Sequence, residues 1–231
     1  MKAKVEELIE KSRTALDEIR SGTEDDFSAD LDKELRQSLV LSADELLQEA
    51  PMEKLLPKRV VANSGDNKDY DAIRTEYSDG HGSLVIPDDF LLLYELRLRS
   101  WQGTVRTLLE PGSNEALMQQ SRWTRGNPQK PKAMLETDEK GQRVITYWTA
   151  GKYANPRAQN MQSVYDHFVE KFTYVPRAAI NKDADDTEWI DIALTGDCEK
   201  NLIYRALSMI LTTKKETELA SAVRGMSEMG G

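Results

Sequence analysis

The chain has 231 residues, of which 39% are hydrophobic and 31% charged, and it carries a formal net charge of -9. That length suits one large domain or two small ones, and the acidic balance argues against a protein whose main task is gripping nucleic-acid phosphates. The single cysteine, Cys198, allows no intrachain disulfide, no apolar run approaches the ~18 residues of a membrane span, and the charged start MKAKVEELIEKS lacks the apolar centre of a signal peptide.

These features predict a soluble protein made in a reducing cytoplasm. Val5, Leu8, Ile9, Ser12, Leu16 and Ile19 recur at helical spacing and predict a helix from Lys2 to Arg20 that stops near Gly22. SGTEDDFSAD is a polar break. Leu31, Leu35, Leu39, Ala43, Leu46 and Leu47 then predict a second helix from Ser28 to Glu49, which Pro51 must end or kink. MEKLLP reads as a short apolar turn.

From Lys58 the period changes to two. RVVA predicts a short strand and NSGDNKD a loop, and YDAIRTEY, SDGHG and SLVIP read as a hairpin. DDF turns a corner after Pro87. Leu91 to Ser100 then alternates, with Leu92, Tyr94, Leu96 and Leu98 on one face and Glu95, Arg97 and Arg99 on the other, the pattern of a half-buried strand. TVRTLLEP predicts another strand. GSNEALMQQSRWTRGNPQKPK is irregular or briefly helical, and Pro128 and Pro131 fix its end. AMLET and RVITYW predict a second hairpin around Gly141. TAGKYANPRAQNMQS is a loop, and VYDHFVEKFTYVP a strand with Phe168, Phe172 and Tyr174 on one face.

Beyond Asp183 the pattern predicts helix again. ADDTEWIDI leads into CEKNLIYRALSMILTT, whose stripe is Leu202, Ile203, Ala206, Leu207, Ile210 and Leu211. KKETELASAVRGMSEM continues as a final helix or bent extension. Helices, then strands, then helices predict an α+β fold. The expected organisation is N-terminal helices over 1–57, a strand-rich, antiparallel β-sandwich-like domain over 58–180, and C-terminal helices over 181–231 that join the first ones in a helical bundle.

Candidate chemistry is sparse. Asp88 with Asp89, and Asp185 with Asp186, are neighbouring carboxylates, whereas a glycosidase needs two carboxyl groups facing each other across a cleft. Such neighbours read as caps and solvated corners. Two histidines, His81 and His167, and one cysteine have no zinc-like spacing. Cys198 at a helix start reads as packing. Phosphate-binding glycine loops, nucleophile elbows and calcium loops are missing from the sequence. The expectation is a protein that is not an enzyme, with no catalytic residues, no cofactor and no metal.

The basic run RWTRGNPQKPK places Trp123 among Arg122, Arg125, Lys130 and Lys132. Charge interleaved with an aromatic suits single-stranded nucleic acid. It equally suits a protein partner, because Trp and Arg are enriched at interfaces, and the acidic remainder favours that reading. Arg224, Met226 and Met229 lie in a Met- and Gly-rich end, and residues 224–231 are expected to become ordered only on docking or to fray.

With these pieces in view the sequence resembles the head–tail connector (adaptor or ring) proteins of short-tailed, Bacteroidetes-infecting phages, including the crAss-like group. More distantly it is similar to the tail tubular and adaptor proteins of podoviruses. The resemblance rests on SADELLQEAPMEKLLP, LVIPDDFLLLYELRLRSWQ, RWTRGNPQKPKAML and EKNLIYRALSMILTTKKETELA, and it covers most of the chain. The stretch Asn63 to Gly82 is longer than the family pattern. The resemblance implies a virion structural protein, assembled in the bacterial host cytoplasm into a dodecameric ring at the head–tail junction or in the tail. Its implied partners are further copies of itself, the portal protein and the next tail or ring protein, with genomic DNA passing through a central channel without specific binding and no membrane. Arg97, Arg99, Arg122, Trp123, Arg125, Lys130, Arg224, Met226 and Met229 are the candidate interface residues. The alternative is a β-sandwich binding module for carbohydrate or nucleic acid.

Overall fold

The computed structural model describes residues 1–20, 29–59, 74–78, 81–121, 123–148, 169–196, 198–214 and 216–228. In chain order its elements are β1 (Lys2–Lys4), α1 (Val5–Arg20), α2 (Ala29–Glu49), β2 (Lys58–Arg59), β3 (Arg74–Ser78), β4 (His81–Val85), β5 (Phe90–Leu98), α3 (Asn114–Met118), β6 (Ala133–Thr137), β7 (Arg143–Trp148), β8 (Val169–Pro176), β9 (Ala179–Lys182), β10 (Glu188–Asp191), α4 (Glu199–Thr213) and α5 (Thr217–Glu228). The described residues thus form a mixed α and β structure with five helices and three antiparallel sheets. Most of the loop Asn63 to Gly82, the run TAGKYANPRAQNMQS, and His167 and Phe168 lie outside the described residues.

The chain divides into two compact units. The first is Met1–Leu56 with Pro176–Gly231, and the second is Pro57–Val175. The second is continuous in sequence and interrupts the first.

In the first unit the helices bury the stripes that their sequences predict. Val5, Leu8, Ile9, Ser12 and Leu16 of α1 are buried, as are Leu31, Leu35, Leu39, Ala43 and Leu47 of α2. Both sets follow the helical repeat of one face. α4 packs against α2, α5 and α1, and buries Leu202, Ala206, Leu207, Ile210 and Leu211. Each such Leu or Ile contributes about 1.5–3 kcal/mol by leaving water. The Ser208 hydroxyl donates to the Ala220 carbonyl at 3.0 Å and fastens α5 to α4.

The expected return to helix after Asp183 is corrected. Residues Glu188–Asp191 form β10, which pairs with β9 and with β1 in the sheet order β1-β10-β9. Helix begins only at Glu199, and the chain start Lys2–Lys4 is strand rather than helix. Turn chemistry explains the hairpin. The Asp183 carboxylate accepts from the Asp185 and Thr187 amides, both at 3.0 Å, and from the Trp189 indole at 2.8 Å. Asp186 takes a positive φ of 59°, which Asp tolerates better than most residues. A corner fixed in this way overrides the helical reading of ADDTEWIDI.

The second unit holds two sheets, β2-β8-β5 and β3-β4-β7-β6. One buried cluster draws on both: Leu84 and Ile145 from the larger sheet, Phe90, Leu96, Leu98 and Phe172 from the smaller. Phe90 stacks with Tyr174 at 5.7 Å and with Phe172 at 6.4 Å between ring centroids. β8 is the middle strand of its sheet, and Phe172, Thr173, Tyr174 and Val175 are all buried, so both of its faces are covered.

The alternation read along β5 is corrected in part. Phe90, Leu93, Leu96 and Leu98 are buried, while Leu92 and Tyr94 are only half-buried. Burial at Phe90, Leu93 and Leu96 mixes the two parities of the strand, so both faces are covered in its first half. Polarity alone therefore selects the wrong neighbour. The strand expected for TVRTLLEP is also absent. Val105 and Leu96 exchange two backbone hydrogen bonds at 2.9 Å, and Leu109 bridges to Met134, but each is an isolated pairing.

Candidate protein interface

The segment between α3 and β6 carries the basic run with Trp123. It is built from the inside outward. Ser113 caps α3, its hydroxyl accepting from the Ala116 amide at 3.2 Å. Such a cap is worth roughly 1 kcal/mol. Just past the helix, Gln119 is buried and acts as a strut. Its side-chain amide donates to the Glu115 carbonyl at 2.7 Å, and its Oε1 accepts from the Gly126 amide at 2.7 Å. Asn127 Oδ1 accepts from the amides of Gln129 and Lys130 at 3.0 and 3.1 Å. The Pro128 carbonyl accepts from the Gln102 amide at 2.8 Å, which anchors the loop to the chain after β5.

This frame holds apolar groups in solvent. Trp123 is 91% exposed, Leu117 53% and Met118 54%. The Thr124 hydroxyl donates to the Met118 carbonyl at 2.6 Å, tying the Trp123 turn to the end of α3. Arg125 is half-buried and Lys130 exposed. Lys132 pairs with Glu115 at 3.0 Å. Arg122 lies outside the described residues. A rigid loop that displays a tryptophan loses little conformational entropy when a partner covers it.

The strand candidates behave differently. Arg97 Nε lies 3.0 Å from Glu170 Oε2, and Lys171 pairs with Glu95, so these charges bridge β5 to β8. The Arg97–Glu170 pair is exposed, and such a pair contributes about 0–1 kcal/mol. Arg97 is thus engaged inside its own sheet. Arg99 follows the strand and is exposed.

At the other end of the chain, residues 224–228 belong to α5, with Val223 and Ser227 buried. The sequence reading takes residues 224–231 as a tail that orders on docking or frays, and 224–228 lie within α5. Arg224 faces Glu45 and Glu49 at 3.8 and 3.9 Å, beside Arg205, whose guanidinium donates to Glu49 at 2.6 Å. That hydrogen bond holds the Glu49 carboxyl below its ordinary range. Met226 is partly exposed, and Met229 lies outside the described residues.

Two further chemical candidates are engaged within the fold. Asp89 accepts from the Tyr174 hydroxyl at 2.7 Å and from Lys58 at 3.0 Å, joining the PDDF corner to β8 and β2. Cys198 is buried against the Met1 sulfur, 3.4 Å away. Among the described residues no group of three or more His, Cys, Asp or Glu could hold a metal, and no helix is long and apolar enough to cross a membrane. Sequence reasoning named Trp123 as a candidate and did not single out Leu117, Met118 or the Gln119 strut beside it. No protein-family model matches the chain, and no curated protein does.

Proposed function

We propose that the protein is a ring-forming head–tail connector of a tailed phage, a virion structural protein that joins portal to tail and leaves a channel for DNA. In this reading the helices of the first unit form a bundle, and the two sheets that share one core form a sandwich. The carrying observation is Trp123, 91% exposed on a loop fixed by buried hydrogen bonds. An exposed indole held this firmly suits repeated protein contacts, and a ring needs the same contact in every copy. The net charge of -9 suits a conduit through which DNA slides without being held.

The test is electron microscopy of the protein mixed with the portal protein of the same phage. A closed ring with a central opening on the portal is the expected result. Portal particles that stay bare at saturating protein would reject the reading.

A second reading, a sandwich module for carbohydrate, draws on one feature. A depression of about 380 Å³ on the larger sheet is lined by His81, Glu136, Asp138 and Thr146. Its acids disfavour nucleic acid and its hydrogen-bonding groups suit a neutral sugar. Saturable binding on a glycan array, lost in Glu136→Gln, would favour it.

A further inference from the structure

Between the end of α4 at Thr213 and the start of α5 at Thr217 stand Lys214, Lys215 and Glu216. Helices that stop usually carry glycine or proline at the stop. Here the sequence has neither, and Lys and Glu are good helix formers. The Lys214 amide still donates to the Ile210 carbonyl at 3.0 Å, the bond of a helix that goes on. Local propensity therefore favours one helix from Glu199 to Glu228. The break is held by what α5 touches.

Those contacts lie on a narrow face. α5 buries Ala220, Val223 and Ser227, none larger than valine, while Leu219 and Met226 stay exposed. The Ala220 carbonyl accepts from Ser208 on α4, and Arg224 stands 3.8 and 3.9 Å from Glu45 and Glu49 on α2. Counted along a single helix, Ala220, Val223 and Ser227 fall on the stripe of Leu202 and Ala206, at alternating steps of three and four. The straight form thus keeps one continuous docking face.

We infer that α5 is an exchangeable arm: the break straightens, and α5 of one copy packs on α2 and α4 of a second copy. The surface that α5 fits is the one it covers in its own copy, and every further copy offers the same surface. Each contact given up at home is remade next door, so exchange of an identical element is a low-cost route to association. Straightening replaces the bond from the Glu216 amide to the Leu211 carbonyl with ordinary helical ones. It also carries the 12 residues of α5 about 18 Å past the end of α4, off their own copy. Passed from each copy to the next round a ring, the contact is heterologous. The inference goes beyond the connector reading, because two copies exchange arms without a portal.

The experiment uses the full chain with Arg224→Lys, which keeps the cation and supplies an amine for a zero-length carbodiimide link to Glu45 or Glu49. Copies grown in heavy and light nitrogen are mixed at high concentration, warmed below their melting temperature and cross-linked, and the peptides joined to position 224 are mapped. The expected products join position 224 of a heavy copy to Glu45 or Glu49 of a light one. Links within one copy accompany them and show that the contact is captured. Lys214→Gly, placed where the straight helix needs a helix former, should lower the mixed links about five-fold, equivalent to about 1 kcal/mol, and spare the links within a copy. Links confined to one copy, mixed links that land elsewhere, or mixed links that Lys214→Gly leaves unchanged overturn the inference. A ring on the portal without mixed links removes the exchange and keeps the connector. Mixed links with the portal left bare keep the exchange and remove the connector.

Discussion

Gly126 lies so close to Lys132 that a methyl group on its Cα would stand 2.8 Å from the Lys132 amide nitrogen and 2.9 Å from its Cβ. The backbone crossing has no room for a side chain. Gly126→Ala must push the two segments apart and stretch the hydrogen bond from Gly126 to Gln119. The expected cost is about 1–3 kcal/mol, in the range for overpacking. Urea unfolding measures it, and the emission of Trp123 should change as its turn moves.

Trp123→Ala should do the reverse. A side chain 91% exposed supports nothing beneath it, so unfolding free energy should stay within about 0.5 kcal/mol of the parent. Ring formation on the portal should weaken strongly. A large loss of stability with assembly intact would show that Trp123 packs in a core.

The Asp89 corner predicts a pH dependence. Burial raises the Asp89 carboxyl, but the hydrogen bonds from Tyr174 and then Lys58 outweigh it and hold the group below its usual range. A depressed carboxyl stabilises the fold above its ordinary pKa of about 3.9, and that contribution fades as pH falls through the lower folded value. Lys58 is raised by its bond to Asp89, and Tyr174 by burial and then by Asp89. Their contributions are complete below about pH 10 and fade as pH rises through the raised values. Asp89→Asn should flatten the acid limb of urea midpoint against pH. An unchanged acid limb would count against this account.

Arg205 is the buried hub between α2 and α4. It donates to Glu49 and lies 3.9 Å from Glu45, and Arg224 stands 3.8 and 3.9 Å from the same two acids. Arg205→Ala should cost about 2 kcal/mol, less than a fully buried pair because Glu49 is partly in solvent. Hydrogen exchange should quicken first in α5, whose Arg224 shares the same acids.

What could be read from the sequence followed how local each signal was. The faces of α1 and α2 were legible because Val5, Leu8 and Leu16, or Leu31, Leu35 and Leu39, repeat along one element. β10 was not legible, since four residues, EWID, carry too little periodicity to outweigh the helical run after them. Its cause lies in the side chain of Asp183, which no pattern of hydrophobicity reports. The Trp123 loop was legible through its composition, but the exposure of Leu117 and Met118 was not, because a five-residue helix is too short to show which face is covered. The pairing of Arg97 with Glu170 was not legible either, because it is set by which strand lies beside β5.

The pairing of Lys58 with Tyr174 brings together the two places where the chain enters and leaves the second unit, at Pro57 and Val175. Points of entry and exit on adjacent antiparallel strands lie about 5 Å apart, within reach of a short turn. The strand-rich unit is therefore a cassette. It should be removable by joining Leu56 to Pro176 through a few glycines and serines, leaving a helical remnant whose circular dichroism and cooperative melting show that it still folds. A unit entered and left at one place can vary without changing the connections of the helical unit that carries it.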